Sequence, residues 1–178
     1  MNKIAPFFNS MNYFQLLSLE RDYQIDLINL EAKYLDASKK YHPDFSNSAI
    51  FDAEALKLSA QVNQAYSTLK DPYQRAEYLL KLESGKNSEE IRTVPPEILE
   101  EVMDIRFELE SEPKNKEIFE ELKKKLTSRL KYFEDRLLIL FEQLKCSLPE
   151  YREKILLDLR LCLNSSKYFL NILGEIDN

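Results

Sequence analysis

The residues with the most distinctive chemistry in this 178-residue chain lie in the segment KKYHPDF, residues 39–45. His42 is the single histidine, and a neutral histidine offers both a hydrogen-bond donor and an acceptor. Pro43 ends a helix and disfavours helical backbone at the residue before it. Asp44 can accept paired N–H groups from an arginine of a partner. The segment is therefore either an ordinary capped turn or a short contact site.

An enzyme that uses His42 as a general base is one interpretation of this segment. Such a base needs a pocket and a second catalytic group placed to work with it, and nothing near His42 in the sequence supplies a nucleophile or a metal. Cys146 and Cys162 form no CxxC pair, and a structural zinc site needs four nitrogen or sulfur ligands. The sequence thus predicts no catalytic residue, no metal and no cofactor. We expect both cysteines to be small apolar core residues inside helices.

The composition argues against nucleic-acid partners, membrane partners and secretion. The net charge is −6 and neither half of the chain is basic, which disfavours general nucleic-acid binding. No apolar run reaches the roughly 18 residues that a membrane span requires, so no membrane partner is expected. The apolar stretch Ile4–Phe8 is too short for a secretory signal. We therefore expect a cytoplasmic protein.

Helices must position the His42 segment. Two glycines and seven prolines leave few turn residues, which predicts an all-α fold of long helices. Apolar residues at steps of three and four predict amphipathic helices over 23–41 and 49–70. The predicted buried stripes are Leu27, Leu30, Tyr34, Ala37 and Tyr41 in the first helix and Phe51, Ala55, Leu58, Val62, Ala65 and Leu69 in the second. Short helices flank the pair, over 11–17 and from Pro72. Such a pair forms an antiparallel hairpin with His42, Pro43 and Asp44 at its tip.

The second half of the chain has the pattern of an antiparallel three-helix bundle. Polar residues 83–93 are predicted to form a linker. Helices are predicted over 95–111, 115–146 and 151–173, the last of them stopped by Gly174. In the first helix the core stripe is Ile98, Val102, Ile105 and Leu109. Leu99 and Met103 lie about 100–140° around the helix from that stripe. They either broaden the buried face or are exposed.

Three segments together resemble a J domain. They are the opening MNYFQLL at 11–17, the YHPD tip, and the run NQAYSTLKDPYQRAEYLL at 63–80. Within that run, DPYQRAEYLL is similar to the HscB type, the J-domain co-chaperones of iron–sulfur cluster assembly. The resemblance covers residues 11 to about 80 strongly and the remainder more loosely. It implies an N-terminal J domain followed by a helical bundle.

The resemblance also implies a role for the tip. In that family the J domain docks on an HscA-type chaperone ATPase and accelerates ATP hydrolysis there, so the protein itself is not expected to be an enzyme. His42, Pro43 and Asp44 would form the contact triad. Lys33, Lys39 and Lys40 would steer the helix towards an acidic patch, mainly by raising the association rate. A solvated helix face is the alternative explanation of these lysines.

The bundle would hold an IscU-type scaffold, the protein on which clusters form in that family. Leu99, Met103, Asp104 and Arg106 fall where the family places its scaffold contacts. Phe107 departs from the family, in which an acidic residue is common at that place. The alternative is that Leu99 and Met103 pack under the J domain and hold the two domains together.

The resemblance implies a division of the chain into domains and leaves one competing function. We expect a mobile extension over 1–10, a J domain over 11–82, a linker over 83–93 and a scaffold-binding bundle over 94–178. Translation could start at Met1 or at Met11.

The competing function is a general J-domain protein that serves a DnaK-type chaperone and other clients, but such proteins carry a Gly/Phe-rich linker or a Cys-rich zinc region. A purely structural helical protein would leave the HPD tripeptide unexplained.

Overall fold

The computed structural model describes residues 11–41, 49–90, 93–111 and 116–177. These residues form seven α helices and one short 3-10 helix, with no strand among them, so the predicted all-α class is confirmed. The extension over 1–10 and the tip residues His42, Pro43 and Asp44 lie outside the described residues. The chain divides into two compact units between Arg75 and Ala76.

The helices are numbered in chain order. They are α1 (Tyr13–Leu16), α2 (Leu27–Lys40), α3 (Ala49–Lys70), α4 (Pro72–Ser84), α5 (Pro96–Ser111), α6 (Lys116–Cys146) and α7 (Pro149–Ile176). The 3-10 helix, Ser88–Glu90, lies between α4 and α5. The division between the two units therefore falls inside α4.

A capping box starts the first unit. The Asn12 side chain accepts a hydrogen bond from the backbone N–H of Gln15 (2.9 Å), and the Gln15 side chain accepts one from the Asn12 backbone N–H (3.0 Å). Two otherwise unpaired donors at the start of a four-residue helix are satisfied in this way. Phe14 of α1 is buried, and α1 packs on α3.

Helix α2 begins later than the predicted residue 23. Asp26 accepts a hydrogen bond from the backbone N–H of Ile28 (2.9 Å) and so caps the helix at its start. A side-chain cap of this kind stabilises one helix start over its neighbours. Leu27 is the first helical residue and is half-exposed, so its place in the predicted buried stripe was wrong. Leu30 and Ala37 are buried as predicted.

The predicted hairpin of two long helices is present. The rings of Tyr34 in α2 and Tyr66 in α3 are stacked with their centroids 4.1 Å apart, and the Tyr34 hydroxyl donates to the Asn63 side chain (3.0 Å). The predicted stripe residues Val62, Ala65 and Leu69 are buried. The side chains of Phe51 and Ala55 lie outside the described residues. Stacking and a hydrogen bond at one site fix the register of the two helices.

Arg75 gives the DPYQRAEYLL segment a structural role. Its side chain is buried and donates to the backbone oxygen of Leu69 (2.6 Å), near the end of α3. The guanidinium also lies 5.2 Å from the centre of the Tyr23 ring. A cation that binds a terminal carbonyl closes the end of a helix. Arg75 therefore joins the end of α3 to the loop before α2.

The second unit contains the predicted three-helix bundle of α5, α6 and α7. The most extensive contact joins α6 and α7, and α5 packs on both. The buried apolar side chains of α6 are Leu122, Leu126, Phe133, Leu137, Leu140, Phe141 and Leu144. Helix α7 continues through Gly174 to Ile176, so the predicted stop at Gly174 was wrong. Gly174 has ordinary helical backbone, and the Asp177 N–H ends the helix by donating to the Leu173 oxygen (3.1 Å).

The segment predicted to be a linker is packed against the bundle. Ser88 is fully buried, and its hydroxyl is hydrogen-bonded to the carboxylate of Glu77. The side-chain amide of Asn164, a buried residue of α7, donates to the backbone oxygens of Ser88 and Thr93 (both 3.4 Å). These bonds satisfy polar groups inside the unit. The predicted domain limits, 11–82 and 94–178, stay predictions.

The two cysteines differ in exposure. Cys162 is buried in α7 and its thiol donates to the backbone oxygen of Phe133 (3.6 Å). Burial raises the pKa of Cys162 to about 12, so it is an inert core residue at neutral pH. Cys146 is exposed at the last residue of α6. The prediction of a core position was wrong for Cys146 because the last turn of α6 reaches solvent.

Candidate functional site

The first candidate surface is the basic end of α2. Lys39 and Lys40 occupy its last turn and both are exposed, whereas Lys33, two turns earlier, is half-buried. Cations at this end are favourable because the helix dipole places partial negative charge there. The Tyr41 N–H donates to the Ala37 oxygen (3.0 Å) and closes the helix. His42 follows Tyr41 directly in the sequence, so its place in the tip stays a prediction.

Helix α2 also exposes apolar side chains that the sequence analysis passed over. Ile28 is 81% exposed and Leu35 is 49% exposed. Their spacing of seven residues places them on one face of the helix. Their exposure could have been predicted from the sequence, because both residues lie outside the predicted buried stripe of α2.

The second candidate surface is the outer face of α5. Three apolar side chains form what we call the apolar row: Leu99, Met103 and Phe107. They are 39%, 69% and 75% exposed, respectively. The core residues Ile98 and Val102 are buried on the other side of the helix. The predicted angular separation of Leu99 and Met103 from the core stripe is thus confirmed, and both are exposed.

Arg106 connects α5 to α7 beside the apolar row. Its two terminal nitrogens donate to the two carboxylate oxygens of Glu175, at 3.1 and 2.9 Å. The hydrogen bond to Glu175 raises the pKa of Arg106. Sequence analysis missed Glu175, because no pattern links residues so far apart. Arg106 therefore orients α5, and its predicted contact with a scaffold stays a prediction. Asp104, the other predicted polar contact, is exposed.

Arg129 of α6 holds the opposite side of α5. It forms an ion pair with Glu101 of α5 (3.0 Å). Its guanidinium also lies 5.0 Å from the ring centre of Tyr132 and 5.8 Å from that of Phe169 in α7. Stacking on aromatic faces and pairing with a carboxylate are both suited to arginine. The two arginines fix the rotation of α5, and the apolar row faces outwards.

The described residues include a charged surface groove but no cluster of metal-ligating side chains. A surface groove along α6 is lined by charged side chains, among which Lys131 pairs with Asp135 (3.1 Å). Lys123, which also lines the groove, pairs with Asp177 of the chain end (2.5 Å). Within the described ranges no three His, Cys, Asp or Glu side chains cluster as metal ligands would. In the same ranges no helix has both the length and the apolar character needed to cross a bilayer.

Comparison with protein families covers the first unit. The family model described as the DnaJ domain matches residues 12–78. The match includes α1, α2 and α3, and it contains the tip residues His42, Pro43 and Asp44.

Curated relatives extend the likeness into the second unit. The iron–sulfur cluster co-chaperone protein HscB homolog of Arabidopsis thaliana is 35% identical over 144 residues, which are 80% of this chain and 57% of that protein. The co-chaperone protein HscB homolog of Shewanella pealeana is 37% identical over 134 residues, 68% of this chain and 77% of that protein. The Vibrio cholerae homolog is 41% identical over 104 residues, 57% of this chain and 61% of the relative. The matches thus span less than two thirds of the Arabidopsis and Vibrio proteins.

Solved structures share the fold over nearly the whole chain. Human co-chaperone protein HscB superposes with a TM-score of 0.81 at 27% identity, over 94% of this chain and 81% of the human one. Chaperone HscB from Vibrio cholerae superposes with a TM-score of 0.73 at 29% identity, over 94% and 96% of the two chains. The likeness therefore includes both compact units.

Proposed function

Because this chain belongs to the HscB family of J-domain co-chaperones, we propose that it is an adaptor in iron–sulfur cluster assembly. Its first unit stimulates the ATPase of an HscA-type chaperone through the HPD tip. Its second unit binds an IscU-type scaffold and delivers it to that chaperone. The protein acts on the ATPase of its partner and performs no catalysis of its own.

The observation that carries this proposal is the exposed apolar row on α5. The row lies outside residues 12–78, the part matched by the DnaJ domain, and belongs to a separate compact unit. Aligned apolar side chains with charged neighbours are typical of a small protein-binding surface. A chain with a J domain in one unit and a binding surface in the other has the parts that an adaptor needs.

Both proposed binding surfaces combine residues that provide rigid or apolar contact with residues that provide charge. At the predicted tip, Pro43 restricts its own backbone torsion, which would lower the entropic cost of docking. Asp44 can accept two N–H groups of an arginine. In α5, Leu99 and Met103 supply apolar area, and Asp104 and Arg106 lie beside them to fix orientation.

Purified components test the proposal. The hydrolysis rate of an HscA-type chaperone would be measured alone, with this protein, and with this protein plus an IscU-type scaffold. We expect stimulation by the protein and further stimulation with the scaffold, together with direct binding of the scaffold in calorimetric titration. Stimulation of a DnaK-type chaperone without scaffold binding would instead support a general J-domain protein. No stimulation of either chaperone would refute the proposal.

The paired lysines of α2 give a salt-dependent prediction. We expect Lys39→Ala with Lys40→Ala to slow association with the chaperone about 3–10-fold at low salt and by less at high salt, because exposed charges steer encounter and are screened by ions. Stopped-flow association at several salt concentrations measures this effect. The matched control is Lys124→Ala with Lys125→Ala, which removes the same charge from an exposed face of α6. Equal slowing at all salt concentrations would mean that Lys39 and Lys40 do not steer.

A further inference from the structure

The apolar row does not end at Met103. Phe107 lies one helical turn further along α5 and its side chain is 75% exposed. Successive members of the row are four residues apart, so the row covers about 12 Å of the helix at a rise of about 1.5 Å per residue. A single exposed apolar residue is ordinary, whereas an aligned set of three is a surface.

An acidic row runs parallel to the apolar row. Its members are Glu100, Asp104 and Glu108, each one residue after a member of the apolar row and each exposed. None of these three forms an ion pair with another residue in the described part of the chain. An advance of about 100° per residue puts the acidic row on one border of the apolar row. That border therefore carries negative charge over the full length of the row.

The other border of the row carries less charge. Arg106 lies between the apolar row and the core stripe, and it is engaged by Glu175 of α7 at 2.9 Å. Glu110, one turn further along α5, is exposed and also acts electrostatically on Arg106, so this border carries one uncompensated negative charge. The surface thus has three parallel bands, which are strongly acidic, apolar and weakly charged. A partner that matches all three bands can dock in one orientation only.

We infer that Phe107 is the third anchor of the scaffold-binding surface and that the acidic row sets its polarity, an inference that rests on the proposed function. The occupant is the iron–sulfur scaffold protein. The scaffold surface it selects has an apolar stretch of about 12 Å with lysine or arginine side chains along one border. An acidic residue in place of Phe107 would select a scaffold with a cation there instead.

Phe107 suits the role of an anchor on physical grounds. A phenylalanine that becomes buried on binding removes a large apolar area from water, and it has only two side-chain torsions to fix. A carboxylate at the edge of an interface contributes little, because it is hydrated and screened by salt. Binding through Phe107 therefore depends less on salt than binding through a carboxylate at the same position.

Calorimetric titration of the full chain with a purified IscU-type scaffold tests the anchor. We expect Phe107→Ala to weaken binding about 10- to 100-fold, as truncation of an aromatic anchor does, with an unchanged melting temperature because the ring is exposed. The matched control is Tyr151→Ala, which truncates an aromatic residue that is 56% exposed elsewhere in the same unit. It should change affinity less than about twofold. Phe107→Glu should bind more weakly than Phe107→Ala. If Phe107→Glu binds as tightly as the unmodified protein, the anchor role is refuted.

The acidic row is tested by salt dependence. Glu100→Gln with Glu108→Gln should reduce the dependence of the association rate on salt, whereas Glu150→Gln with Glu153→Gln, two exposed residues of α7, should leave it unchanged. An unchanged salt dependence in the first variant would refute the polarity assigned here.

Failure of the unmodified protein to bind the scaffold would refute the proposed function itself. Loss of binding by Leu99→Ala with Met103→Ala, but not by Phe107→Ala, would refute only the inference about Phe107.

Discussion

His42→Gln is expected to abolish stimulation of the chaperone ATPase, reducing it at least about 10-fold to the rate of the chaperone alone, as the loss of an interface hot spot does. In the sequence the residue follows the end of α2, a helix whose buried side chains are Leu30 and Ala37. Glutamine keeps a donor and an acceptor but places them with a different geometry and on a more flexible chain. Single-turnover ATP hydrolysis at saturating co-chaperone measures the loss.

Two controls separate loss of contact from loss of fold in this variant. The far-UV circular dichroism spectrum and the melting temperature should match those of the unmodified protein. Scaffold binding should also be unchanged, because the apolar row belongs to the other compact unit. Intact stimulation would show that His42 is not a contact residue, and a melted spectrum would show that it has a structural role.

Leu99→Ala with Met103→Ala is expected to weaken scaffold binding by about 2–4 kcal/mol, a factor of roughly 30 to 1,000 in affinity. Both side chains are exposed and adjacent on α5, and both would lose water contact when a partner covers them. Calorimetric titration with the scaffold gives the change in dissociation constant. Stimulation of the chaperone in the absence of scaffold should be normal.

Stability measurements identify a packing role if one exists. Exposed side chains contribute little to the free energy of unfolding, so the melting temperature of the Leu99 and Met103 variant should barely move. The matched control is Leu148→Ala with Leu157→Ala, two partly exposed leucines at 61% and 41%. This control should retain full affinity. An unchanged dissociation constant beside a lowered melting temperature would refute the binding role and indicate that Leu99 and Met103 pack within the fold.

The features predicted well from the sequence are those with a local period. The spacing of apolar residues placed α3, α5 and α6 nearly at their observed limits, and it put Leu99 and Met103 off the core stripe of α5. These features depend on helical geometry alone, since about 3.6 residues per turn decide which side chains share a face. The same geometry accounts for the alignment of Phe107 with Leu99 and Met103 in the apolar row.

The sequence did not predict contacts between residues that are far apart in the chain, nor helix ends that are set by a single residue. The pairs of Arg106 with Glu175 and of Arg129 with Glu101 join separate helices, and no sequence period relates such residues. At Gly174 the packing of α7 outweighs the helix-ending tendency of glycine. The start of α2 is determined by one side chain, that of Asp26. The apolar spacing alone was also compatible with a start at residue 23. Asn164 likewise bonds to Ser88 from 76 positions away.

The ion pair of Arg106 with Glu175 has a consequence during protein synthesis. Its two residues are 69 positions apart, and chains emerge from the ribosome at about 5–20 residues per second. The residues of α5 are therefore made several seconds before the end of α7. Until α7 is complete, the core face of α5, with Ile98, Val102 and Ile105, lacks part of its cover, because α5 packs on both α6 and α7.

A nascent α5 is thus apolar on two sides at once, since the apolar row lies on its outer face. Short apolar segments in a growing chain aggregate unless charged residues interrupt them. Glu100, Asp104 and Glu108 occupy the strip between the two apolar faces. The same carboxylates that would orient a partner on the finished protein would also oppose aggregation of the unfinished chain.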